Sequence, residues 1–286
     1  MRVNNRGSAV IEIADNLNAS FSLRPSIQSI SPTTGSQMGG TILTIRGDGF
    51  SPDLNQTSGE IAGAPCKILS ISYTQIQCRT PAKNASQALA VVVKVNGMES
   101  NCDSNVGCSF TYSAAKTPKV DSVTPSAIVG SENIIRMYGS GLPSRAVDLE
   151  VKIGSTSCVV RSSSQYSASC RVGSVVAGKH DLKIHVAGQG FAMFEAGASS
   201  AIDSLAIVSS IAPTEGSIMG GTELSIKGSG FDPTAGQTTV KIGANFCTTV
   251  RVTSSEVVCR TSAHGPGSYE VRRKKNSVLE KELINS

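Results

Sequence analysis

The chain has 286 residues, too long for one small module and suited to two or three domains. Only 16% of residues are charged and 4% aromatic, against 28 Gly and 11 Pro, a turn-rich composition that leans toward many short β-strands. Trp is absent, which argues against the ordinary immunoglobulin core, and the apolar runs are too short to suggest a membrane-spanning helix. The net charge of +5 owes +4 to the single run Arg272-Arg273-Lys274-Lys275, so it is a poor guide to partners.

In chain order, Met1 to Arg6 leads into no apolar core region, so no signal peptide is expected. Ser20-Phe21-Ser22-Leu23, just before Pro25, is echoed by Ser109-Phe110-Thr111-Tyr112 before Pro118. Residues 1–24 therefore read as the closing hairpin of a preceding repeat. A first complete copy occupies residues 25–114, a second 118–206 and a third 207–286. Linkers are expected at 114–118 and 199–206.

The register of these copies rests on a long shared pattern, and an internal repeat governs any further reading. Pro32 to Phe50 and Pro213 to Phe231 are identical at 13 of 19 positions, including Met38-Gly39-Gly40-Thr41 and Met219-Gly220-Gly221-Thr222. The middle copy is weaker, with Ser131-Glu132-Asn133 where the others have Gly-Gly-Thr, but it keeps Pro125 and the turn Gly139-Ser140-Gly141-Leu142. Inside each copy the apolar period is two: Leu43 and Ile45 alternate with Thr44 and Arg46, and Leu224 and Ile226 with Ser225 and Lys227. Turn residues punctuate these runs at sandwich spacing, so each copy is expected to be one antiparallel β-sandwich. The third departs from pattern after Tyr269-Glu270-Val271. Where a closing Phe-x-Tyr strand is due it offers the basic run, read as a solvated tail, and the domain is expected to be incomplete or divergent there.

Eight cysteines stand at Cys66, Cys78, Cys102, Cys108, Cys158, Cys170, Cys247 and Cys259. Three successive pairs, 66/78, 158/170 and 247/259, are each 12 residues apart, and the repeat selects this pairing. Residues 67–77 read as strand, polar turn, strand, so the two cysteines are expected opposite one another across a hairpin, within bridging distance. Closing a loop of this size stabilises by about 3 kcal/mol in the chain-entropy account. Cys102 and Cys108 remain as a fourth pair. A zinc site would want close C-x(2–4)-C pairs, which the chain lacks, so no metal is expected. Disulfides imply an oxidising compartment. The sequons at Asn18, Asn55 and Asn84 agree with an extracellular address carrying N-glycans.

Chemistry is hard to find. The chain has no G-x-S-x-G, and His180 and His185, five apart on one strand, face opposite ways. No catalytic residue, enzyme activity or cofactor is expected. Arg46-Gly47-Asp48 is the integrin-binding tripeptide, but the same slots hold Tyr138-Gly139-Ser140 and Lys227-Gly228-Ser229, which favours a strand end and turn.

The order I/V-x-P-x-x-G-x-x-x-G-G-T, then an alternating strand, G-x-G-F, and two cysteines followed by Arg-Thr (Cys78-Arg79-Thr80-Pro81; Cys259-Arg260-Thr261), resembles IPT/TIG domains. Their tandem wording is most similar to fibrocystin and fibrocystin-like ectodomains, with plexins and hepatocyte-growth-factor-type receptors more distant. The resemblance implies immunoglobulin-like sandwiches in an all-β, non-enzymatic segment of a cell-surface receptor-like protein. Such a segment serves as spacer and protein-interaction or adhesion surface, its parent anchored to a membrane elsewhere. Alternatives are a carbohydrate-binding module, which would want a row of exposed aromatics, and a Rel-type DNA-binding protein, which would want reduced cysteines and a basic face. Unidentified protein partners are expected and nucleic acid is not.

Overall fold

A computed structural model describes residues 24–275 and 278–279, except 85, 103–106, 131 and 235. The expected closing hairpin in residues 1–24, including Asn18, thus lies outside the described residues apart from Arg24. The fold is all-β: three immunoglobulin-like sandwiches follow one another, each a sheet curled into two layers.

The first domain shows how the alternation builds a core. Ile42–Asp48 pairs on one side with Ser26–Ser31 and on the other with Gln75–Arg79, placing Ile45 opposite both Ile30 and Ile76. Leu43, Ile45 and Ile76 are fully buried, while Ile42, Arg46 and Asp48 face water. The second layer holds Thr57–Ile61, Ala88–Val95 and Ser109–Tyr112, whose Phe110 and Tyr112 close the core edge to face at 5.1 Å. Burial holds the Tyr112 hydroxyl in its neutral form, pushing its pKa up to about 12. Phe50, Leu142 and Phe231, each following a Gly-x-Gly turn, fill the same core position in their domains. The register of the copies extends to the backbone, since Pro32, Pro125 and Pro213 all follow cis peptide bonds.

The cysteine pairs are joined as the spacing selects, at Cα separations of 5.5, 5.4 and 5.6 Å for 66–78, 158–170 and 247–259. Their setting differs from the expected one. Cys78 stands opposite Ile68 in the hairpin ladder, whereas Cys66 pairs with Gly59 in the other layer. Cys158 and Cys247 likewise face Val151 and Val240, while their partners Cys170 and Cys259 face Val160 and Thr249. The strand carrying the first cysteine (Ala64–Ile71 in the first domain) passes from one layer to the other. A register shift between Ile68 and Ser70 marks the bend, as an extra residue turns a strand and sharpens its twist. The bridge therefore ties the layers together through the core, where all six cysteines are at most 4% exposed. A hairpin count cannot show this, because it assumes one continuous ladder.

Two further expectations are corrected. Residues 199–206 are not a linker: Ala201–Leu205 is the closing strand of the second domain, paired with Gly178–Val186, and Ile207–Ala212 follows at once. The basic run is not a tail either. Val271–Lys275 pairs with Thr239–Ile242, in the place that Ala88–Val95 and Gly178–Val186 hold in the other domains. Four successive cations leave no apolar alternation to betray a strand. Among the described residues no strand takes the place of Ser109–Tyr112 in the third domain. Its core is accordingly lean, built on Leu224, Ile226, Phe231, Val240 and Val257 with the cystine, and it takes in Ala177 from the second domain.

Candidate interdomain site

The described residues contain no cluster of three or more His, Cys, Asp or Glu able to hold a metal. The most developed polar constellation instead joins the first domain to the second. In the first domain the turn after Gly35 runs Ser36-Gln37-Met38-Gly39-Gly40-Thr41, with Gly39 and Gly40 at φ of +70° and +81°. Gly39 must lack a side chain because a Cβ there would lie 2.5 Å from the Pro81 backbone. Gly40 must lack one for another reason: its Cβ would fall 2.4 Å from the ring of Phe191, in the second domain.

Phe191 belongs to a hairpin that follows Gly178–Val186 and turns at Ala187-Gly188-Gln189-Gly190. This hairpin plugs into the glycine turn. The Ser36 amide donates to the Gln189 carbonyl at 2.9 Å, and the Phe191 amide donates to the Gly39 carbonyl at 2.8 Å. The Ser36 hydroxyl donates to the Phe191 carbonyl at 2.6 Å, and the Thr41 hydroxyl caps the Gln189 carbonyl. Gly190 is required as well, since its Cβ would sit 2.3 Å from the Gly39 carbonyl oxygen. The Arg79 guanidinium lies 5.3 Å from the centre of the Phe191 ring, a cation–π contact. Residues 114–118 complete the joint: Ala114–Lys116 forms a short 3-10 turn, and the buried Thr117 hydroxyl accepts from the Gln37 amide at 2.9 Å.

His185 sits inside this joint. Its Nε2 donates to the Gly40 carbonyl at 2.9 Å, and its ring meets Phe191 edge to face at 5.3 Å. Burial holds its pKa below the ordinary histidine value, and the positive charges of Arg79 and Lys152 push the same way. The Gly40 carbonyl and Glu150 oppose them. His180, on the same strand, contacts the Val176 carbonyl within its own domain. The odd separation of the two histidines was readable; that one of them faces a neighbouring domain was not. The joint between the second and third domains is built differently. The Ala177 amide donates to the Gly230 carbonyl at 2.9 Å, and the Gly230 amide donates to the Ser174 hydroxyl at 3.2 Å.

Arg46, Gly47 and Asp48 end an interior strand and do not form a loop tip. Gly47 is paired with Ile27, its amide donates to the Thr74 carbonyl at 3.0 Å, and a Cβ would meet the Ser26 carbonyl at 1.9 Å. Arg46 and Asp48 are exposed, and Asp48 accepts from Gln28. Asn55 and Asn84 are exposed in loops. Cys102 and Cys108 are bridged at a Cα separation of 5.8 Å.

A family model described as IPT/TIG domain matches residues 25–112, 118–200 and 206–282. Human fibrocystin-L is 33% identical over 285 residues, 99% of this chain and 6% of that protein. Mouse fibrocystin is 32% identical over 269 residues, 91% of this chain and 6% of that protein. Human plexin-B3 is 36% identical over 120 residues, 41% of this chain and 6% of that protein. Among solved structures, the full extracellular region of plexin A4 aligns with 91% of this chain and 22% of its own length, at 15% identity and a TM-score of 0.40. The chain thus spans 6% of the length of each of these curated relatives.

Proposed function

The chain belongs to the IPT/TIG domain family, and we propose that it is a non-enzymatic extracellular segment of a large, membrane-anchored, receptor-like protein. It would serve as a spacer and as a surface for protein contact and adhesion. The observation that carries this reading is the plugged joint between the first two domains. Neighbouring domains in one chain move freely by default unless an interface fixes them. Here a buried turn, a histidine and a linker threonine set the direction in which the second sandwich leaves the first. A spacer needs its direction set in this way.

The buried cystines support an oxidising compartment. Exposed Asn55 and Asn84, with Asn18, are proposed to carry N-glycans. Chain secreted from mammalian cells should show four bridges and glycan-modified asparagines in non-reducing peptide mass spectrometry. Eight titratable thiols in native secreted protein would overturn the extracellular assignment. A screen of the same protein against cell-surface proteins and glycans then tests the contact role. A protein hit supports it, whereas hits confined to glycans would favour a carbohydrate-binding module.

A further inference from the structure

The third domain repeats the glycine turn of the first almost letter for letter, Gly216-Ser217-Ile218-Met219-Gly220-Gly221-Thr222 against Gly35-Ser36-Gln37-Met38-Gly39-Gly40-Thr41. Its backbone has the same shape: Gly220 and Gly221 both stand at φ +79°. The inner glycine serves the same purpose in both copies, for a Cβ on Gly220 would lie 2.7 Å from the backbone of Ser262 and Ala263, as one on Gly39 would press on Pro81. The outer glycine does not. Gly40 is closed over by Phe191, whereas among the described residues nothing lies within 4 Å of a Cβ on Gly221.

The turns share their internal hydrogen bonds, the amides of Gly39 and Gly220 donating to the carbonyls of Ser36 and Ser217 and those of Gly40 and Gly221 to the carbonyls of Thr80 and Thr261, and differ in burial and in their outward-facing donors. Ser36 and Thr41 are fully buried, but Ser217 is exposed and Thr222 only partly covered. The donors that grip the hairpin carbonyl in the first domain turn on each other in the third, where the Ser217 amide donates to the Thr222 hydroxyl at 3.1 Å. Met219 is 81% exposed and Ile218 55%, beside a cleft of about 460 Å³ that they line with His264 and Tyr269.

We propose that the Ser217–Thr222 turn, uncovered by any described residue, is a preformed docking socket for the hairpin of a further IPT/TIG domain in a longer chain, bearing a Gly-Phe turn like Gly190-Phe191. A β-sandwich hairpin is favoured over other occupants because this same socket, in the first domain, is seen holding one. A second copy of this chain is a poorer occupant. Its Gly190-Phe191 hairpin is already engaged, and the corresponding turn of its first domain, Val95-Asn96-Gly97-Met98, has no Phe and no second glycine. The role complements the spacer reading but does not depend on it, since it rests on the comparison of two turns.

The probe is a backbone-cyclised hairpin peptide of residues 183–194, titrated into the complete chain and followed by amide NMR. Untethered hairpins lose the effective concentration that a linker supplies, so the peptide is carried to about millimolar concentration. Saturable shifts are expected at Ser217 and residues 220–222, with the occupied turn at Ser36 to Thr41 silent. The variant Gly221→Asn keeps a residue that tolerates positive φ yet fills the socket, and should weaken binding at least tenfold. A Gly190→Val peptide should not bind. As a second measurement on intact protein, the Gly40→Asn chain, its own hairpin displaced, should self-associate in sedimentation velocity, and Gly40→Asn/Gly221→Asn should not. The proposal is overturned if the peptide shifts nothing at 217–222 and the Gly40→Asn chain stays monomeric. It is also overturned if binding survives Gly221→Asn, or if the wild-type chain alone dimerises through this turn.

Discussion

Gly40 and Gly221 share a residue type, a motif and a backbone angle, yet among the described residues only Gly40 is covered by a neighbour, so the same substitution should behave differently at each. Asparagine tolerates the left-handed conformation at modest cost. At Gly221 its side chain meets no described residue, and the loss should be confined to the backbone cost of a side chain at positive φ, about 1 kcal/mol. At Gly40 it carries the same backbone cost and must also displace the Phe191 ring, an overpacking expected to cost about 1–3 kcal/mol more. Hydrogen exchange at the Ser36 and Phe191 amides reads the difference, and equal protection in Gly40→Asn and wild type would contradict it. The histidines divide similarly. His185 has its pKa lowered by docking, so the stabilisation of the joint is complete above the ordinary value of 6.5 and is lost as pH falls through the docked value. His264 is the reverse. Its Nδ1 and Nε2 both lie 2.8 Å from carbonyls, of Ser262 and Ile242, and only the imidazolium can donate to both. Its pKa is raised by these bonds, so the loop it anchors is tightest below 6.5 and loosens as pH rises through the folded value. Acidification should therefore open the first joint while firming the loop around His264, and intrinsic-rate-corrected exchange at Phe191 and at the His264 amide should move in opposite directions. None of this was legible in the sequence, where Gly40 and Gly221 are the same letter and His185 looks like any polar residue on a strand.

At the scale of elements, the strand with the first cysteine matters most, because it belongs to both layers of its sandwich. Cutting the bridge frees a crossing as well as a hairpin. In the second domain Cys158→Ala/Cys170→Ala should lose about 3 kcal/mol, the amount a loop of this size contributes. Denaturant unfolding followed by exchange in Ser167–Val172 checks it, and a loss confined to the residues between the cysteines would argue that the layers do not depend on the bridge. The cysteine pairing was legible from its repeated spacing. The layer crossing was not, because it depends on a register shift between Ile68 and Ser70 that no residue type marks. The strand Val271–Lys275 is hidden in the sequence for the opposite reason: alternation is the signal for a half-buried strand, and a uniform cationic run carries none. Strand context also bears on Arg46-Gly47-Asp48. With Gly47 paired on one face and its amide bonded to Thr74 on the other, the tripeptide cannot bow outward without breaking the ladder between Ser26–Ser31 and Ile42–Asp48. Asp48→Glu should leave cell adhesion to the chain unchanged, and a loss of integrin-dependent attachment would show that the flat strand suffices.

For the molecule as a whole, the question is how a few hydrogen bonds can hold two domains in one orientation. Each contributes only about 1 kcal/mol net, which would be feeble between separate proteins. Tethering changes the balance, because a short linker presents the hairpin to its socket at roughly millimolar effective concentration and most of the entropy of association is already spent. The linker here is brief, with Thr117 pinned by the Gln37 amide, so the socket, the plug and the tether act as one unit. Removing the plug should then free the joint without unfolding either sandwich, since Phe191 is not among the residues of the second domain's own buried core. The measurement is residual dipolar couplings: a single alignment tensor should fit the first two domains of the wild-type chain, and two different tensors should be needed for Phe191→Ala. Unchanged tensors in the variant would place the rigidity in the linker alone. Loss of dispersion in the second domain would mean that Phe191 is structural there.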